Sequence, residues 1–187
     1  LVAGWIWGGG WLQNLGRIVG WGNGAVDFAG SGPVHMIGGV VGLAGAIILG
    51  PRIGKFNKDG SANTIPGHNM TIGILGTIIL FFGWFGFNPG SSLGFLGGFR
   101  NLAVIAAINT LLAGAAGGTA AMTYMWLFGP SKKPDAGMSV NGLLAGLVAI
   151  TAPCAFVDPW AAVVIGTIAG VLVIWASTVL EKLKIDD

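Results

Sequence analysis

Charge is what this sequence has least of. Nine Lys and Arg and seven Asp and Glu are all the formal charge among 187 residues, 9% of the chain, where a soluble domain carries about 25%. With 53% hydrophobic residues and a mean hydropathy of +0.79, it reads as an integral membrane protein. The basic residues are scattered and form no patch, which sets nucleic acid aside as a partner. Cysteine is almost missing too. Cys154 stands alone, which excludes an internal disulfide, a CxxC redox pair and a cysteine–histidine metal set, and leaves it as a small packing residue. No metal or cofactor is expected. An intramembrane hydrolase built on Ser91 and His35 lacks a G-x-S-x-G elbow, and a potassium channel lacks its TVGYG filter. The opening Leu1 to Leu12 has neither the basic start nor the small-residue cleavage site of a signal peptide. The sequence is expected to be a fragment of a longer chain, stopping at the polar stretch Glu181 to Asp187 (EKLKIDD).

What the sequence has in excess is glycine, 35 residues against a usual share of about 7%. No G-X-Y period runs through them, so close helix packing explains them better than a collagen helix. Gly38, Gly42 and Ala46 form one small-residue face, and Gly114 and Gly118 another. Spanning a membrane takes about 20 largely apolar residues. Five stretches meet or approach that: Phe28 to Gly50, Asn69 to Pro89, Asn101 to Phe128, Gly137 to Pro153 and Pro159 to Leu180. Leu1 to Leu12 looks like the tail of a sixth. The fold expected is all-α, a polytopic helical bundle in the cell membrane, in contact with lipid.

Lys and Arg gather in cytoplasmic loops. Arg52, Lys55 and Lys58 follow the first full span, Lys132 and Lys133 the third, Lys182 and Lys184 the fifth, while only Arg17 and Arg100 lie on the other side. Gln13 to Val26, Gly90 to Arg100 and Cys154 to Asp158 are thereby placed outside. Asn57 to Gly67 becomes part of a polar cytoplasmic loop, and His68, next in that loop, is expected to make a loop or helix-start hydrogen bond.

Ionisable groups at membrane depth are costly and are kept where they face a protein interior or a path. Asp27 and His35, in DFAGSGPVH, share one segment, Asp27 near the outer surface and His35 about two turns deeper at about 1.5 Å per residue. His35 is either an interhelical hydrogen-bonder or a pore-lining group, since a neutral imidazole both donates and accepts. Asp27 either caps the free N–H groups of Ala29 and Gly30 or lends negative potential to a cation site, and the two roles can coexist. GWFGFNPGSS, Gly83 to Ser92, closes the second full span. Its Asn88-Pro89-Gly90 is expected to break the helix and free backbone carbonyls. Trp84 and Phe87 supply aromatic faces and Ser91 a hydroxyl, with Trp7 of WIWGGGW on the same side, a set that attracts a small cation. A bare ion pays heavily to cross an apolar passage. A molecule that sheds its proton first pays far less.

At these residues the chain resembles the Amt/Mep/Rh ammonium transporter family. WGGG at Trp7 to Gly10, DFAGSGPVH at Asp27 to His35, GWFGFNPGSS at Gly83 to Ser92 and NGLLAGLVAITAPC at Asn141 to Cys154 come in family order and spacing. The resemblance implies a homotrimer of eleven-span subunits with an inverted repeat, of which residues 1–187 would be the end of span four through span nine of a single domain. It implies that Trp7 and Ser91 belong to the outer ammonium-recruitment site, that Phe87 gates the pore, and that Trp84 matches the tryptophan of the same motif. Asp27 matches the aspartate needed for conduction, and His35 the first of two pore histidines. Gly32 stands where some members carry threonine. The second histidine and an early gating phenylalanine are not in this sequence, so the fragment is not expected to conduct alone. The function implied is ammonium recruitment, deprotonation and passage of ammonia, without enzymatic chemistry. The alternative is an ammonium sensor coupled to a signalling module, and a cytoplasmic regulatory protein is a possible partner of either.

Overall fold

Two helix starts in this chain are written by single polar residues. Asn69 accepts the Ile72 N–H at 3.1 Å and Asp135 the Met138 N–H at 2.7 Å, each satisfying an amide that a helix N-terminus leaves free. Pro159, whose fixed φ suits a first helical turn, opens a third helix after Asp158. The computed structural model describes residues 1–20 and 22–186. Trp21, in the expected outer loop, and Asp187, at the end of the polar tail, lie outside the described residues.

The helices are α1 (Val2–Ile6), α2 (Leu15–Val19), α3 (Ile37–Leu49, entered through a π-helical turn Ser31–Met36), α4 (Met70–Gly90), α5 (Gly98–Phe128), α6 (Ala136–Ile150) and α7 (Pro159–Lys182). No strand occurs among the described residues, only the isolated bridge between Phe56 and Ala62. Four helical stretches, from Ser31, Met70, Gly98 and Pro159, are long and apolar enough to cross a membrane. The fourth expected span is shorter than Gly137 to Pro153. α6 stops at Ile150, because Pro153 has no N–H to return to the Ala149 carbonyl and the Thr151 carbonyl accepts the Ala29 N–H instead, at 3.2 Å.

The core lies where α5, α6 and α7 meet, and glycine makes it possible. Gly117, Gly142, Gly146, Gly166 and Gly170 face neighbouring backbone so closely that an added Cβ would fall inside contact distance of Gly142 O, Ala121 Cβ, Ala113 O and Gly117 O. Ala113, Ala121, Leu147, Ile150, Cys154 and Ala162 fill the remaining space and are wholly buried. Gly114 and Gly118 do sit against α6, on Leu147 and Leu143. The other expected face behaves differently. A Cβ on Gly38 or Gly42 meets nothing and no residue of α3 is buried, so that stripe has no neighbour among the described residues.

Candidate functional site

Asp27 organises the entry to α3. One carboxylate oxygen accepts the N–H groups of Gly30 at 2.6 Å and Ser31 at 3.1 Å, and the other accepts Gly32 N–H at 2.7 Å. The expected cap therefore exists, shifted by a residue: Ala29 gives its N–H to Thr151, while Gly30, Ser31 and Gly32 bind the carboxylate. Gly30 has φ +117°, a conformation side-chain-bearing residues resist. From there the chain enters a π turn, in which the His35 N–H reaches back five residues to the Gly30 carbonyl at 3.2 Å. Such wide turns are uncommon and concentrate at functional sites. Ser31 fastens the turn to α6, its hydroxyl donating to Val148 O and accepting from Ala152 N, each at 2.7 Å.

This path delivers His35 onto one face of α4. Its ring stacks on Trp84, with centroids 5.1 Å apart and planes at 23°, and lies 5.4 Å from the ring of Phe87. Trp84 and Phe87 are three residues apart on the same helical face, with their rings 6.1 Å apart. His35 Nε2 is buried and has no hydrogen-bond partner, a condition shared among the described residues only by Asn88 Oδ1 and Asn109 Oδ1. An orphaned polar atom in an apolar wall is costly. A small solute able to donate or accept a hydrogen bond would satisfy it.

Trp7 stands on the other side of Asp27. Its indole N–H donates to Asp27 O at 2.6 Å, and its ring, 46% exposed, borders a cavity of ≈ 350 Å³ with Gln13, Asn23, Asp27 and Phe156. Ser91 is not among the residues lining that cavity. Its hydroxyl turns back to Phe87 O at 2.8 Å, and α4 carries Pro89 in its last turn and ends at Gly90, the last residue of the expected Asn88-Pro89-Gly90 break. The Phe87 carbonyl is thereby held by Ser91, and Asn88 is wholly buried with its amide on Thr110 Oγ1 at 3.0 Å. The candidates thus fall into two groups, Trp7 with Asp27 and His35 with Trp84 and Phe87, with Ser91 a turn beyond Phe87. No hydrogen bond joins Ser91 to His35 among the described residues, so the pair has no nucleophile–base geometry. No cluster of three His, Cys, Asp or Glu able to hold a metal occurs among them either. Cys154, in the turn after α6, is an inert packing group, its thiol pushed up to about 12 by burial. His68 is exposed; of the loop or helix-start hydrogen bond expected of it, the helix-start one is made by Asn69 instead.

The sequence profile described as "Ammonium Transporter Family" matches residues 1–187. The chain belongs to the ammonium transporter family. Ammonium transporter Amt2 of Archaeoglobus fulgidus is 54% identical over 98% of this chain and 38% of its own length, and ammonium transporter 1 member 2 of Arabidopsis thaliana is 41% identical over the whole chain and 38% of its own. Among solved structures, one described as "Sensor Amt Protein" superposes with TM-score 0.87 at 43% identity, over 98% of this chain and 44% of that one. Saccharomyces cerevisiae Mep2 does so with TM-score 0.79 at 35%, over 95% and 37%. The chain spans about two-fifths of the length of the relatives it matches. As a family member it is a multi-pass membrane protein. Sequence reasoning passed over Ser31 and Thr151 and saw in Asn88 only a helix breaker, although all three lie inside the motifs that carry the family resemblance. Their partners come from other helices, which no local spacing reveals.

Proposed function

We propose that the protein moves ammonium across the cell membrane, binding it outside, deprotonating it, and passing ammonia along an apolar route beside His35. The observation that carries this is the buried, unpartnered Nε2 of His35 held against Trp84 and Phe87. A neutral imidazole in an aromatic wall offers one hydrogen bond to a small neutral molecule and no charge to trap a cation. Trp7 and the Phe87–Ser91 turn form the outer recruitment site in this reading, with Trp84 as the fixed ring behind His35 and Phe87 as the gate. Asp27 spends both carboxylate oxygens on backbone amides, which supports an anchoring role and keeps a negative charge near the mouth. Residues 1–187 act here as part of one transporter domain. The complete protein assembles as a homotrimer, and a cytoplasmic regulatory protein has access to its inner face.

In the complete protein, His35→Ala is expected to lower ammonium flux into proteoliposomes or to erode discrimination against potassium. Wild-type flux with wild-type discrimination would remove His35 from the route. A second reading, ammonium sensing, is supported by the likeness to the structure described as a sensor. Ammonium-dependent signalling by the complete protein without measurable flux would favour it over transport.

A further inference from the structure

Thr151 lies one residue past the end of α6, wholly buried, and uses its side chain in both directions. Its hydroxyl donates to Leu147 O at 2.7 Å and accepts the Trp84 indole N–H at 3.0 Å. Its carbonyl accepts the Ala29 N–H at 3.2 Å. The first bond alone is ordinary: Thr77, Thr167 and Thr178 fold their hydroxyls back onto the preceding turn in the same way. Thr151 adds a tie to each of the two segments whose rings meet in the His35–Trp84 stack. That stack crosses a gap. α6 packs against both α4 and the π turn, whereas α4 and the π turn share no backbone contact among the described residues. The relative placement of the two rings is therefore transmitted through α6, and Thr151 is where both ties converge.

We propose that Thr151 is a positioning residue for His35, acting through the Trp84 indole. The hydroxyl fixes the indole's rotation about its long axis. The indole face then sets the plane of the imidazole and keeps Nε2 aimed away from protein partners. Substituting Thr151→Val keeps the shape and β-branching but leaves the indole N–H buried without an acceptor, so Trp84 has reason to rotate. The flux arm of the test rests on the transport reading; the labelling arm does not.

The experiment compares the complete wild-type protein with Thr151→Val and Thr151→Ser. In proteoliposomes, Thr151→Val should lower maximal ammonium flux by about two- to tenfold, the range set by one ordinary hydrogen bond. Its half-saturating ammonium concentration should stay unchanged, because outer recruitment is untouched, and Thr151→Ser should restore most of the flux. In detergent, diethyl pyrocarbonate should modify His35 faster in Thr151→Val than in wild type or Thr151→Ser, read peptide by peptide by mass spectrometry. Unchanged labelling in Thr151→Val, or a serine variant as impaired as the valine one, overturns the proposal. Should Thr151→Val fail to fold, Trp84→Phe removes the same N–H from the other side and must accelerate His35 labelling in its place. If the wild type moves no ammonium, the transport reading falls and the labelling arm alone decides the role of Thr151.

Discussion

Asp27 binds three successive amides with two oxygens, so its removal acts on the backbone before it acts on any passenger. Three N–H groups at the head of the π turn would lose a charged acceptor, and hydrogen bonds to charged groups contribute about 1.5–3 kcal/mol each when buried, less where water reaches them. Asp27→Ala should therefore lower the thermal unfolding midpoint in detergent, with a net cost of about 1–3 kcal/mol, and speed amide exchange at Gly30, Ser31 and Gly32. Asp27→Asn should do so as well, because its NH₂ group replaces one acceptor with a donor facing donors. An alanine variant with native stability and native protection would show that the carboxylate is no anchor. Scarcity of charge made Asp27 and His35 stand out in the sequence, since each is expensive in its surroundings. The amides Asp27 would bind were legible to within a residue. The π turn that shifts them was not, because nothing in SGPVHM distinguishes a five-residue reach from a four-residue one. Thr151 gave no signal: its partner in α4 lies 67 positions away in the chain.

Helices were read well where hydropathy and capping agree. α4 starts at Met70, one residue after the expected Asn69 that caps it, α7 starts at the expected Pro159, and α5 starts three residues before the expected Asn101. The end of α4 at Gly90 falls within one residue of the expected Pro89, whereas the end set by tertiary bonds, at Ile150, was read less well. Small-residue faces show the limit most plainly. Gly38-Gly42-Ala46 and Gly114-Gly118 look alike as spacing, yet only the second pair has a neighbouring helix in this structure, and closer approaches between helices, at Gly117, Gly142, Gly166 and Gly170, belong to neither stripe. Spacing marks a surface that permits close approach, while the partner depends on chain topology. Overpacking should accordingly be site-specific. Gly166→Ala drives a methyl into the Ala113 backbone, where neither helix can yield cheaply, and is expected to cost about 1–3 kcal/mol or to block assembly of the bundle. Gly73→Ala meets open space and should be neutral or slightly stabilising through helix propensity. Thermal unfolding of the two variants side by side checks the contrast, and equal midpoints would contradict the packing described.

At the scale of the whole molecule, the loop after α3 is clasped to the chain end at and beyond α7 by Arg52 and Lys55, two of the basic residues on which the expected orientation rests. Arg52 grips Asp186 with two side-chain bonds of 2.7 Å and its backbone N–H at 2.9 Å, across 134 positions of sequence. Lys55 pairs with Glu181 at 2.7 Å. The loop has its own frame, with the Asn63 amide on Gly54 O at 3.0 Å and the Asn57 amide on Ser61 Oγ at 2.9 Å. The sequence showed basic residues after α3 and acidic ones near its end, but not that they meet. The Asp186 carboxylate is held well below the usual range by the Arg52 guanidinium and backbone N–H. Its contribution is fully present above the ordinary aspartate value of 3.8 and is lost only as pH falls through the lowered folded value. Mild acidification should therefore leave the clasp shut. Arg52→Asp should open it at neutral pH, accelerating trypsin cleavage after Lys58 several-fold, and the reversed pair Arg52→Asp with Asp186→Arg should restore protection. Salt should narrow the difference between wild type and the single variant, because the Arg52 side chain is largely exposed and screening acts there. Cleavage of Arg52→Asp at the wild-type rate would mean that the loop's internal amide bonds, rather than its charges, hold it against α7.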